Sequence, residues 1–216
     1  MRNTTRRNWL TISTAGAAAG ALVARGSSPT SPATTQPARE AIRERYFPNV
    51  VLTTQQGKKV RFYDDLIRDK IVVLNLMYAN CDGVCPVITS NLVKVQKLLG
   101  DRVGRDIFIY SITVQPEHDT PKVLNRYAKM HGAGPGWLFL TGKPDDIELL
   151  RRKLGFVDPN PEVDKDKSRH SGNLRYGNEP LSLWATCQGQ AKPGWIVESI
   201  SWVDWPKNRS PKAKVS

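Results

Sequence analysis

Residues 71–86 read Ile71-Val-Val-Leu-Asn-Leu-Met77-Tyr-Ala-Asn-Cys81-Asp-Gly-Val-Cys85-Pro86. The first seven are almost continuously apolar, the pattern of a parallel strand buried on both faces. Pro86 then opens a helical pattern, with Ile88, Leu92, Val95 and Leu99 on one face and Gly100 as its stop. Two thiols therefore sit where a buried strand hands over to a helix. The carboxyl ends of parallel strands are where α/β folds place their chemistry. The spacing predicts Cys85 at the helix N-cap, where unpaired backbone N–H groups favour a thiolate.

The same alternation continues outward. Ile107 to Val114 predicts a second buried strand. Asp119 or Thr120 caps a helix from Pro121, with Val123, Leu124, Tyr127 and Met130 facing inward. Trp137 to Leu140 reads as a third strand and Pro144 to Leu154 as a third helix. Upstream, Val50 to Thr53 and Val60 to Phe62 flank Gln55-Gln-Gly57 and suit a hairpin. The stretch from about 170 to 205 reads as β-rich, ending in the strand Ile196-Val-Glu-Ser-Ile-Ser-Trp-Val203. Alternating strands and helices define an α/β architecture with a mainly parallel centre. The domain is expected over 45–205, after a Pro-, Ser- and Thr-rich flexible linker at 25–44 and before a basic, disordered tail at 206–216.

The first 24 residues read as an address. Arg6 and Arg7 follow Thr5 and precede Asn8, Trp9 and Leu10, the order of a twin-arginine export signal. Small residues follow, and Ala19-Gly20-Ala21 and Ala24 offer cleavage sites. The apolar stretch, Leu10 to Ala24, is short of the roughly 20 residues that span a bilayer, so a cleaved signal is preferred to a retained anchor. The expected location is the periplasm.

Hydrophobic residues make up 39% of the 216, enough for a core, and the net charge is +12. Without residues 1–24 the chain keeps 29 basic and 20 acidic side chains, net +9. That balance suits an acidic protein partner or peripheral association with an anionic membrane. No aromatic-basic interleaving of a nucleic-acid module is present, so nucleic acid is not an expected partner.

Three residues separate Cys81 from Cys85, and Gly83 lets the loop open, so both sulfurs can converge on one soft ion or bond to each other. A structural disulfide over so short a loop would stabilise only modestly. Asp82 tunes the pair or is a solvated loop residue. Cys187 stands alone about 100 residues later: a buried spectator, a free thiol or a third redox partner. Trp184, Trp195 and Trp202 cluster late in the chain, as buried aromatics or as a docking patch.

With these residues in order, the chain resembles the Sco/SenC family of copper chaperones. Val72 to Cys81 is similar to that family's strand into the first cysteine, and Cys81-Asp-Gly-Val-Cys85-Pro86 fits its Cys-x-x-x-Cys-Pro motif. Ser111-Ile-Thr-Val-Gln-Pro-Glu-His-Asp-Thr-Pro121 resembles its Pro-Glu-x-Asp-Thr-Pro segment, and His170 follows the second cysteine at the family's interval for a third ligand. The resemblance implies a thioredoxin-like fold and one copper ion held by Cys81, Cys85 and His170. It implies copper delivery to, or thiol maintenance of, a dinuclear copper site such as that of cytochrome c oxidase; nitrous-oxide reductase is the other expected recipient, and a thiol reductant a further partner. Three departures stand out: Arg169 replaces the usual acid before the histidine, His118 replaces an arginine, and Ser171 to Asn178 is polar where the family runs apolar. His118 lies in a turn, and His131 before Gly132 reads as helix capping. The alternative function is an exported thiol-disulfide oxidoreductase, using Cys81 and Cys85 as redox residues without metal. A redox or copper sensor is a third.

Overall fold

A computed structural model describes residues 36–166 and 172–204. In chain order they form α1 (Gln36–Tyr46), β1 (Val51–Thr54), β2 (Lys59–Arg61), β3 (Ile71–Met77), α2 (Cys85–Leu99), β4 (Ile107–Thr113), α3 (Pro121–His131), β5 (Trp137–Gly142), α4 (Pro144–Lys153), α5 (Pro161–Lys165), β6 (Asn173–Asn178), β7 (Leu183–Gln188) and α6 (Pro193–Val203). The strands join one sheet in the order β2-β1-β5-β4-β3-β6-β7. β3, β4 and β5 run parallel, and antiparallel pairs flank them on both sides. β3 has a strand on each side and all seven of its residues are buried, which is why its sequence carries no polar alternation.

The one interior polar group of β3, Asn75, is satisfied sideways. Ser111 Oγ donates to Asn75 Oδ1 at 2.7 Å, and Trp137 Nε1 donates to Ser111 Oγ at 2.9 Å, tying three parallel strands through side chains. On α2, Ile88, Leu92, Val95 and Leu99 are buried as their spacing predicts, and Pro86 sits in its first turn.

Three expectations change, and one open alternative, the cap of α3, is resolved. The described part of the stretch 25–44 is not a linker: residues 36–46 form α1. Arg39 on that helix donates to both carboxylate oxygens of buried Glu179, at 2.6 and 2.5 Å, and Glu179 also accepts from Tyr63 Oη and the Asp69 backbone N–H, both at 2.8 Å. The C-terminal β-branched run is not a strand. It forms α6, because Ile196, Val197, Ile200 and Val203 share a helical face that packs on α2 and the β6–β7 pair. Met130 is 70% exposed rather than inward, although Leu124, Tyr127 and Ala128 of α3 are buried. Thr120, not Asp119, caps α3, with its side chain accepting from Val123 N at 3.4 Å. The expected signal at 1–24 and tail at 206–216 lie outside the described residues.

Candidate metal centre

β3 delivers the chain to the site, and a buried carboxylate holds it there. Asp119, 2% exposed, accepts from the Ala79 backbone N–H at 3.0 Å and from Thr113 Oγ1 at 2.5 Å. Thr113 ends β4, and Ala79 lies two residues before Cys81. Asp119 thus straps the loop after β3 to the loop after β4, and the Val114 N–H donation to Met77 O at 2.9 Å closes the same seam. Residues 78–84 then turn out of the sheet into α2, whose first residue is Cys85.

The two thiols differ in environment. Cys85 is 1% exposed, whereas Cys81 is half-buried at the surface. Their sulfurs lie within hydrogen-bond reach of each other. Partial burial pushes the Cys81 thiol up, but hydrogen bonds from the Cys85 and Tyr78 side chains and from the Cys85 and Gly83 backbone N–H groups outweigh it and hold Cys81 below its ordinary value. Burial above all, then the bond to Cys81, pushes Cys85 up to about 12. The helix N-terminus thus does not decide the matter as the sequence suggests: desolvation of Cys85 exceeds it, and Cys81 is the thiol poised to ionise. Tyr78 was missed from the sequence; its signal is a tyrosine three positions before the first cysteine, at the end of a buried strand. Its bond to Cys81, and then desolvation, raise the Tyr78 hydroxyl well above the ordinary range, so it stays a donor.

His170 lies outside the described residues, which resume at Gly172. Gly172 packs on the first turn of α2: a Cβ there would lie 3.2 Å from Ile88 Cδ1 and 4.0 Å from Val84 Cγ2. Gly189 N donates to Gly172 O at 2.8 Å, and a Cβ on Gly189 would come within 2.8 Å of that same oxygen, so only glycine fits. On the other side, α5 is anchored by Arg151. That side chain, 7% exposed, donates to both oxygens of Asp164 at 2.6 and 2.7 Å and to Glu148 at 2.8 and 2.9 Å. Those bonds hold the Asp164 carboxyl far below the usual carboxylate range.

The remaining candidates separate from the pair. His118 is exposed in its turn. His131 packs against the Tyr127 ring at 4.2 Å, and Gly132 closes α3 in the left-handed region, as the capping reading requires. Cys187 is buried in β7 opposite Leu174, and burial raises its thiol to about 11, the environment of an unreactive thiol. Asp82 is exposed. Among the described residues, no group of three or more His, Cys, Asp and Glu side chains is placed to hold a metal ion. What they do offer is two sulfur donors at the mouth of a rigid strand-to-helix turn, a fit for a soft, thiophilic ion or for dithiol chemistry.

This dithiol at the end of a central parallel strand defines a thioredoxin-like protein with a surface cysteine pair. The family model described as SCO1/SenC matches residues 38–202, and the chain belongs to the SCO1/SenC family. A SCO1 protein homolog of Bacillus subtilis (strain 168) is 32% identical over 89 residues, 41% of this chain and 45% of that protein. The chain spans about half the length of the curated relatives it matches. Among solved structures, Bradyrhizobium japonicum ScoI with copper bound aligns with a TM-score of 0.58 at 21% identity, over 71% of this chain and 96% of that one. BsSco, described as a member of the Sco family of cytochrome c oxidase assembly proteins and the subject of a disulfide switch, aligns at 0.59 and 23% identity, over 73% and 92%. At these identities the structural likeness establishes the thioredoxin-like fold.

Proposed function

We propose that this chain is a copper-binding metallochaperone, carrying one copper ion between the thiolates of Cys81 and Cys85 and the imidazole of His170. The observation that carries the reading is the convergence of the two sulfurs at the surface end of β3. Two thiolates and an imidazole are a donor set that suits Cu(I) and can also hold Cu(II). Gly172 supports His170 as the third donor. It packs on Val84 and Ile88 beside Cys85, and two residues of chain reach at most roughly 7 Å. Copper here is cargo, and a half-exposed Cys81 leaves one donor open to exchange with a recipient's ligands. The recipient is a dinuclear copper site such as that of cytochrome c oxidase or, alternatively, nitrous-oxide reductase. The copper-bound relative and the assembly family of BsSco support this assignment. Export through the twin-arginine signal at 1–24 to the periplasm belongs to the same proposal, with residues 25–35 as connector and 206–216 as a basic tail.

The test is titration of the reduced protein with Cu(I) and Cu(II). One equivalent should bind, Cu(II) with thiolate-to-copper charge-transfer absorption, and Cys81→Ser, Cys85→Ser and His170→Ala should each lose it. Absence of binding by the reduced wild type would overturn the proposal.

One observation favours a second reading: the unequal exposure of the two sulfurs suits thiol-disulfide exchange. The Cys81 thiolate would attack a partner disulfide, forming a mixed disulfide and releasing one partner thiolate. Cys85 would then attack the Cys81 sulfur and release the second. The pair ends oxidised, the partner reduced by two electrons, and an external thiol reductant resets the site. His170→Ala separates the readings, because exchange should survive it and copper binding should not.

A further inference from the structure

A cleft of about 400 Å³ lies between α1, the end of α4 and one face of the β3–β6–β7 part of the sheet, and neither Cys81 nor Cys85 lines it. Leu74 of β3 is directly opposite Arg175 of β6, and Arg175 is directly opposite Thr186 of β7. Residues paired in this way share one face of the sheet, so these three form the floor. Trp184, two residues before Thr186, stands on the same face and makes a wall. The indole lies over Gly177, where a Cβ would come within 2.2 Å of it, so glycine there lets the ring sit close to the sheet. Phe47 packs on Trp184 with ring centroids 4.5 Å apart, and Ile42 of α1 carries the apolar lining outward. This packing leaves Trp184 half-buried, whereas Trp195 and Trp202 of α6 are 64% and 75% exposed.

Arg175 brings a charge to this apolar setting. A guanidinium carries five N–H donors. Nη1 donates to Thr186 Oγ1 at 3.1 Å, and Nη2 donates to the Gly155 carbonyl, just past α4, at 2.5 Å. The guanidinium carbon lies 5.2 Å from the centroid of the Phe156 ring. Nε is buried and has no hydrogen-bond partner among the described residues. Burial pushes the guanidinium below its ordinary value, and no carboxylate among the described residues offsets it. The acids of the neighbouring elements are turned away or engaged. Glu40 and Glu44, each two residues from Ile42, point about 200° round α1 from it and are exposed. Glu148 and Asp164 bind Arg151, and Glu179 binds Arg39. Lys153, exposed at the rim, adds a second positive charge.

We propose that this cleft binds a small monocarboxylate with an apolar body, its carboxylate at Arg175 and its hydrocarbon against Leu74, Trp184 and Ile42. Apolar walls with a few placed polar groups are the make-up of small-molecule sites. A partly buried cation without a counterion is unfavourable, and a carboxylate accepting from the unused guanidinium N–H groups supplies one through charge-assisted hydrogen bonds. An inorganic anion brings the charge but nothing for the walls to cover. A neutral alcohol brings the apolar body but no charge. The carboxylate joins both. The site stands apart from the cysteine pair and does not rest on the copper reading.

The test is isothermal titration calorimetry of the full chain with decanoate and 2-naphthoate, each beside its matched alcohol, decanol and 2-naphthol. At least one carboxylate should bind at one equivalent, the stronger of the two telling an aliphatic body from an aromatic one. It should bind about tenfold more tightly than its alcohol. Arg175→Met should remove that preference, so that acid and alcohol bind alike. Ile42→Trp, on the surface helix, leaves Arg175 in place and should weaken both about tenfold by filling the cleft. Cys81→Ser should bind as the wild type does, and far-UV circular dichroism reports the folding of each variant. The proposal is overturned if neither carboxylate binds, if acid and alcohol bind the wild type equally, or if the preference survives Arg175→Met. Wild-type affinity in Ile42→Trp, or loss of binding in Cys81→Ser, would overturn it as well by placing the ligand elsewhere.

Discussion

Asp119 offers the sharpest test of how this fold holds its site. Read from sequence it is one of two candidate helix caps; in the structure it is a strap between two loops, and Thr120 is the cap. The two roles predict different energies. Asp119→Ala removes a charged acceptor shared by a fully buried hydroxyl, Thr113, and a half-buried N–H, Ala79. Hydrogen bonds to a charged group contribute about 1.5–3 kcal/mol each, and water can partly replace the one at Ala79. The expected loss is about 3 kcal/mol. For a chain of this size that lowers the melting temperature by roughly 6–12 °C. Thr120→Ala removes one long cap bond of 3.4 Å and should cost about 0.5–1 kcal/mol. Asp119→Asn keeps one acceptor oxygen without the charge and should fall between the two. Urea unfolding followed by circular dichroism measures all three. Because Ala79 precedes Cys81 by two residues, Asp119→Ala should also speed alkylation of the buried Cys85 under native conditions. Equal losses of about 1 kcal/mol for Asp119→Ala and Thr120→Ala would refute the strap.

Three further outcomes follow from the geometry. Iodoacetamide at neutral pH should modify Cys81 about tenfold faster than Cys85 or Cys187, read by peptide mass spectrometry, because only Cys81 is held below its ordinary value. Burial alone would raise Glu179, but Arg39, the Asp69 N–H and Tyr63 together hold it below its ordinary range. A depressed carboxylate adds stability that is present above its unfolded pKa, about 4.3, and is lost as pH falls through the folded value, so Glu179→Gln should flatten the decline in urea midpoint below about pH 5. Arg151→Ala strands Asp164, whose side chain is 11% exposed, and should cost about 3 kcal/mol while raising hydrogen exchange across α5.

The legible parts of this protein are those set by neighbours in sequence. A nearly continuous apolar run, Ile71 to Met77, broken only by Asn75 and followed by a Cys-x-x-x-Cys-Pro motif at Cys81, specifies a buried strand, a loop and a helix, and β3 and α2 follow that reading. The last helix carried a usable signal that β-branched composition obscured. Pro193 stands at its start, and Ile196, Ile200 and Val203 recur at helical, not alternating, spacing. The Pro-rich approach to Tyr46 gave no local sign of order, because what orders α1 is Glu179, 140 residues further along the chain from Arg39.

From sequence alone come the element order of the central fold, the family and the identity of the two thiols, since each depends on residue types at short, fixed spacing. Tertiary structure alone decides which thiol ionises, which residue straps the cysteine loop, and that two tryptophans of α6 face outward. The reason is physical: desolvation and long-range hydrogen bonds depend on what packs around a group in space, and no spacing along the chain encodes that density of neighbours.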